Sequence, residues 1–297
     1  MKQIAWMFVV LALTGLAVSQ QPPAQTPPAQ SSPNAQAGSA QQTPPPGKRP
    51  PQAKTQAEFD AYQAAMKSAS DPAAVEKSAD DFSAKFPTSE LRDILYRVAM
   101  RGYQNSDNPE KMAGAAQKLL KIDPDDPEAL VDLAEETVEH TRDTDLDKDQ
   151  RLEDAAKNAQ HALQTVDTDV PTGVPPQQVD LFKAMVRSTA YSILGGVSDH
   201  HEKYPDSEDY YRKAIAADPA HTDPVLVLRL ALALDKQGKY PDALKEANHA
   251  VELTQENTTP GKLARQERDR LVQLTGGSAP APAAQPPAGG AQNPPSQ

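Results

Sequence analysis

Apolar and small residues recur along this chain at spacings of three and four. Val227, Leu230, Ala231 and Leu234 form one such run, and Ala243, Ala247 and Ala250 form the next, with a break at Gln237-Gly238. Residues three and four apart share one face of a helix, so each run predicts an amphipathic helix and the break predicts a turn. Further copies lie upstream. Tyr191, Leu194 and Gly195 are followed by Ser207, Tyr211 and Ala214, closing at Asp218-Pro219. Tyr96, Ala99, Met100 and Tyr103 are followed by Met112, Ala116 and Leu119, closing at Asp123-Pro124. Phe59, Tyr62 and Met66 precede Val75, Ala79 and Phe82, closing at Phe86-Pro87. Leu130, Leu133 and Ala134 precede Ala155, Ala159 and Ala162, with extra residues between the two helices. Small residues let paired backbones approach, larger ones fill the space between pairs, and Pro cannot continue a helix.

Five such copies in register over residues 56–257 resemble the tetratricopeptide repeat (TPR), a helix–turn–helix unit of about 34 residues. The resemblance implies an all-α solenoid of about five helical hairpins with a concave binding face, and an output of binding rather than chemistry. Residues 55–170 then hold repeats 1–3 and residues 177–257 hold repeats 4–5. PTGVPP at 171–176 reads as a linker between them, with room for a slight hinge. Thr258-Thr259-Pro260 offers an N-cap and a first-turn Pro for a last, heavily charged helix within 258–275, the polar cap that a solenoid needs.

Composition narrows the picture at both ends. Residues 20–54 carry ten of the 29 prolines and no acidic residue, and residues 276–297 carry six prolines and no charge. Neither stretch has the apolar periodicity to offset its ordering entropy, so both read as disordered tails. Met1-Lys2-Gln3, the apolar run Ile4–Val18 and the small residues Ala17 and Ser19 read as a signal peptide over 1–19. That predicts export, to a periplasm by the style of leader and tail, or inner-membrane anchoring if the leader stays uncleaved. The absence of cysteine closes disulfide, thiolate-metal and cysteine-nucleophile chemistry. Residues 55–275 hold 26 basic and 41 acidic residues, a balance of −15 that disfavours nucleic acid and anionic lipid.

No nucleophile elbow, zinc-protease motif or phosphate-cradling loop is present, so no enzyme, cofactor or small-molecule substrate is predicted. His200-His201-Glu202 falls at a predicted turn, and adjacent histidines on a helix point to different faces. Asp143, Asp145, Asp147, Asp149 and Asp154 space their oxygens like a calcium loop, but Lys148 stands where such loops need Gly. The resemblance makes the first helix of each repeat the binding face. It offers Arg97, Arg101 and Gln104, then Val131, Glu135 and Glu139, then Val225, Leu228 and Leu232. The Lys/Asn/Arg clamp with which some members of the family grip a C-terminal carboxylate is missing. Pro224–Leu234 is apolar on nearly every side, so it must be buried or must meet a partner. The reading is a protein- or peptide-binding scaffold of the cell envelope. The alternative is a structural envelope protein that self-associates through the fifth repeat or stays tethered by its leader.

Overall fold

The structure is a computed structural model describing residues 49–276. The predicted signal peptide, most of the 20–54 tail and nearly all of the 276–297 tail lie outside those residues. Two compact units divide the chain, with the boundary between Thr222 and Asp223. No strand occurs among the described residues, and no described helix is long and apolar enough to cross a membrane.

Unit 1 contains four helical hairpins. They are α1 (Gln56–Met66) with α2 (Pro72–Lys85), α3 (Arg92–Asn105) with α4 (Pro109–Leu120), α5 (Pro127–His140) with α6 (Lys148–Thr165), and α7 (Pro176–His200) with α8 (Tyr204–Ala217). Each helix packs on the next, and α7 also packs on α5. Unit 2 holds the fifth hairpin, α9 (Pro224–Lys236) with α10 (Tyr240–Glu252), and the last helix α11 (Thr259–Thr275), which packs on both.

A short code starts many of these helices. Asp71-Pro72, Asn108-Pro109, Asp126-Pro127 and Asp223-Pro224 each place an Asx side chain at the N-cap and a Pro at the first helical position. The Asx oxygen accepts a hydrogen bond from an otherwise unpaired backbone N–H, such as Asp126 Oδ1 from Ala129 N at 2.8 Å. Pro loses nothing there, because that N–H has no partner within the helix. Thr258 caps α11 by accepting from Gly261 N at 3.1 Å, as its sequence suggests. Gly238 takes φ +73° in the turn between α9 and α10, a backbone region that side chains disfavour.

The small residues sit at the contacts they were expected to make. Ala79, Ala99, Ala116, Ala134, Ala159, Ala162, Ala190 and Ala214 are all fully buried. Tyr62, Phe82, Leu95, Met100 and Leu119 fill one core, and Leu130, Val138, Leu152, Val186 and Ile193 fill a second. Gly195 allows the closest approach: the buried ring of Tyr211 lies where its Cβ would be.

Two expectations need correction. Residues 49–54, read as part of a disordered tail, are docked on the first hairpin. Arg49 pairs with Glu90, Lys54 N donates to Glu58 at 2.8 Å, and Lys54 Nζ donates to Thr88 O at 2.7 Å. Residues 171–176 do not mark the boundary between compact units. They lead into α7, whose first turns lie on the preceding hairpin: Phe182 packs on the second core, and Lys183 and Arg187 pair with Asp167 at 3.1 and 2.7 Å. Repeats 4 and 5 therefore fall in different units. Helix α9 meets the first of its two expected outcomes: it is buried along much of its circumference, with Leu226, Val227, Leu228, Leu230, Ala231, Ala233 and Leu234 all covered.

Candidate partner-binding face

The charged side of α3 reaches the first turn of α5. Arg97 of α3 forms an ion pair with Asp126, the N-cap of α5. One turn later, Arg101 grips Glu128 with two parallel hydrogen bonds, Nε to Oε1 at 2.6 Å and Nη2 to Oε2 at 2.7 Å. Both carboxylates are buried. A bidentate guanidinium suits a desolvated carboxylate because it satisfies both oxygens in one plane. Glu128 also lies in the first turn of its helix, where the dipole favours negative charge.

These contacts correct the reading of Arg97 and Arg101 as groups presented to a partner. Arg97 is largely covered, and Arg101 keeps only part of its side chain open while its Nε and Nη2 are engaged. Their guanidinium groups tie consecutive hairpins together. The signal that would have shown this is the pair of acids at Asp126 and Glu128, one cap and one first-turn residue of the following hairpin.

The acids of α5 continue past the pair. Glu128, Asp132, Glu135 and Glu139 are spaced by four, three and four residues and so share one helical face. Exposure rises along the stripe: Asp132 is buried, Glu135 is half-buried and Glu139 is exposed. Val131 beside them is fully buried and is not a surface residue. Gln104, near the end of α3, is half-buried. Asp132 was missed by the sequence reading. It is 1% exposed, and neither carboxylate oxygen has a hydrogen-bond partner.

Electrostatics separate these carboxyls. Burial pushes Asp132 well above the ordinary carboxylate range, and the charges of Glu128 and Glu135 push the same way. Burial likewise raises Asp93 and Asp126, against the opposing pull of Arg97. Glu128 goes the other way: burial would raise it, but Arg101 and then Arg97 hold it below its usual value. One turn of helix thus separates a carboxyl held below its ordinary range from one pushed above it.

Unit 2 places its three candidates differently. Leu228 is 6% exposed and does not reach the surface, Val225 is half-buried, and Leu232 stands 41% open to solvent. The side chain of Leu228 is therefore removed from any docking face as the structure stands.

The acidic loop 141–147 between α5 and α6 is organised by basic side chains. Lys148 Nζ donates to Asp143 at 2.9 Å and to His200 O at 3.2 Å. Asp145 accepts from Arg142 N at 2.9 Å and lies 3.5 Å from Arg151. Asp154 accepts from Gln150 at 2.9 Å, and Asp149 is in the first turn of α6. Asp147 precedes that helix and makes no side-chain cap bond. Among the described residues, no group of three or more acids or histidines could hold a metal ion, and the calcium reading of this loop is withdrawn. His200 ends α7, and Glu202 in the turn after it takes φ +57°.

A second polar surface, a groove of about 480 Å³ between α2 and α4, is crossed by its own ion pairs. Lys118 bridges Glu76 and Asp80 at 2.9 and 2.8 Å, and Tyr103 donates to Glu76 at 2.6 Å.

No protein-family model matches the chain, and no curated protein matches it. Solved structures do. MamA protein is 16% identical, with 62% of this chain and 88% of that chain covered and a TM-score of 0.38. TTC0263, a thermophilic TPR protein of Thermus thermophilus, is 16% identical, with 73% and 98% covered and a TM-score of 0.40. A tetratricopeptide repeat protein from Parabacteroides merdae ATCC 43184 is 15% identical, with 72% and 90% covered and a TM-score of 0.34. The chain is thus similar to TPR proteins. Likeness at this level carries no argument about partner or activity, and the helical-hairpin stack rests on the packing of this chain's own helices.

Proposed function

We propose that this protein is a non-catalytic scaffold that binds a protein or peptide segment along the first-helix face of unit 1. The observation that carries this reading is the register between α3 and α5. Arg97 and Arg101 of one hairpin meet Asp126 and Glu128 of the next, so the polar sides of two successive first helices adjoin along one surface, with the ion pairs themselves largely covered. Glu135 and Glu139 extend that surface toward solvent. Repeated hairpins with a shared polar face suit recognition of an extended segment, with side chains from several units contributing in parallel.

The leader-like residues 1–19 place the work outside the cytoplasm in this proposal, in a bacterial periplasm, with the Pro-rich tails giving reach. Cell fractionation with N-terminal sequencing tests the location: a soluble periplasmic chain starting at Gln20 supports it, and a cytoplasmic chain starting at Met1 contradicts it.

The binding itself is tested with the full mature chain immobilised beside its Glu135→Lys/Glu139→Lys variant. Envelope proteins retained by the first and lost by the second support the face. Identical retention on both columns, or none on either, contradicts it.

A second reading draws on unit 2. Six large apolar side chains are exposed among the described residues, and five of them, Leu232, Tyr240, Leu253, Leu263 and Leu274, belong to this unit. Such exposure suits self-association. Light scattering of the pure chain decides it: a concentration-dependent mass favours self-association, and a constant monomer mass removes it.

A further inference from the structure

Residues 49–54 precede α1 and lie along the corner between α2 and α3, held at two depths. At the surface, Arg49 pairs with one oxygen of Glu90, and the other oxygen accepts from Gln52 N at 3.2 Å. Lys54 Nζ donates to Thr88 O at 2.7 Å. Deeper in, Lys54 N donates to Glu58 Oε2 at 2.8 Å, and Ala53 packs against the first core. The two layers differ in strength. The side chains of Arg49 and Glu90 are 61% and 36% exposed, and an ion pair so open to water holds weakly. Glu58 is buried, so its carboxylate depends on the hydrogen bonds it receives.

Glu58 also takes a hydrogen bond from the opposite side. Its Oε1 accepts from Ser89 Oγ, and that same Oγ accepts from Leu91 N at 3.1 Å. A hydroxyl has one proton to give, so donating it to Glu58 fixes the rotor and leaves the oxygen lone pairs for Leu91. Leu91 is the N-cap position of α3, a helix with no side-chain cap. Ser89 and Leu91 are both buried, so the Leu91 N–H would be left without an acceptor if the Ser89 hydroxyl turned away. The chain of contacts runs from Lys54 through Glu58 and Ser89 to the first residue of α3.

We infer that Arg49–Lys54 is a strap that opens and closes on the α2–α3 corner, and that Glu58 and Ser89 couple its closing to the start of α3. The surface contacts open first, because water competes for them directly. Lifting Lys54 N then leaves the buried Glu58 carboxylate one donor short. Water that enters to replace that donor also reaches Ser89, and the Leu91 N–H loses its fixed acceptor. Closing restores the three bonds together. The strap belongs to the first hairpin and is independent of any partner, yet α3 carries Arg97 and Arg101 toward α5.

Amide hydrogen exchange of the full mature chain, read by mass spectrometry over residues 49–66, 86–96 and 109–120, tests this. Arg49→Gln/Glu90→Gln removes the surface catch, and Ser89→Ala removes the relay. Lys77→Gln/Asp81→Asn, which breaks an exposed ion pair within α2, is the control. The surface variant should speed exchange about fivefold both in 49–66 and at the start of α3, with 109–120 unchanged. The control should leave all three segments as in the wild type. Ser89→Ala should speed the start of α3 by itself, and adding the surface variant should speed it no further. Circular dichroism melts confirm folding; if Ser89→Ala does not fold, the surface variant still decides, since it leaves the buried contacts in place. Unchanged exchange over 49–66 would overturn the strap. Faster exchange there with the start of α3 unmoved, an equal rise in all three segments, or additive effects in the combined variant would overturn the coupling.

Discussion

Arg101 and Glu128 are 27 residues apart in sequence and joined by two hydrogen bonds of 2.6 and 2.7 Å, with the carboxylate buried and the guanidinium partly open to solvent. That difference in burial predicts unequal costs of losing either partner. Arg101→Ala strands a buried carboxylate and should destabilise unit 1 by about 3 kcal/mol. Glu128→Gln leaves a guanidinium that water can reach and should cost about 1 kcal/mol. Urea melts of the two variants check the order. Equal losses would mean that Glu128 is hydrated in solution.

Stability should fall as pH rises through the titration of Asp132. Burial, with Glu128 and Glu135, raises its folded pKa above the unfolded value of about 3.9. A carboxyl raised in this way contributes fully below its unfolded pKa, and the contribution is lost as pH climbs through the folded one. Asp132→Asn removes that loss. Its melting temperature should exceed that of the wild type by a few degrees at pH 8, and the gap should close toward pH 4. Asp93 and Asp126 are raised in the same direction, so a weaker slope persists in the variant. Glu128 has the opposite sign: its contribution disappears on acidification, when Arg101 loses a charged partner. Thermal melts from about pH 2 to 8 separate the two, since Glu128 loses its contribution below its usual value and Asp132 above its own.

Gly195→Ala should destabilise the α7–α8 hairpin by about 2 kcal/mol or more. A Cβ there would lie 2.4 Å from Cε1 of Tyr211. The ring cannot yield easily, because it is fully buried and its hydroxyl donates to Asp199 at 2.6 Å. A melting temperature equal to the wild type's would show that the hairpin opens to admit a methyl group.

Calcium should leave the melting temperature unchanged, as should a chelator. The oxygens of loop 141–147 face Lys148, Arg151 and the backbone of Arg142 rather than a common point. A ligand that binds only the folded state would raise the melting temperature in proportion to its occupancy. Calorimetry with and without calcium reads this directly.

The hairpins were legible because their determinants are local. Ala243, Ala247 and Ala250 announce one buried face by spacing alone, and Asp126-Pro127 announces a helix start in two residues. The charged face was legible only in part. Glu135 and Glu139 follow from the helical period, but the covering of Arg97 and Arg101 depends on acids of another hairpin, which no window on α3 contains. In Leu228 the difficulty is of another kind. A helix with apolar residues on nearly every side gives no amphipathic direction, so its pattern does not say which leucine is covered and which, like Leu232, is left open. Asp132 looks in sequence like any surface acid; its burial comes from tertiary packing.

Site-specific photo-crosslinking in living cells tests the central claim most directly. The probe replaces Glu139 at the exposed end of the acidic stripe, and a control probe replaces the exposed Lys157 of α6. The account predicts one discrete adduct with a foreign protein from the Glu139 probe and none from the Lys157 probe. Adducts of equal yield from both positions, or only adducts of the chain with itself, would contradict a partner-binding face on α3 and α5.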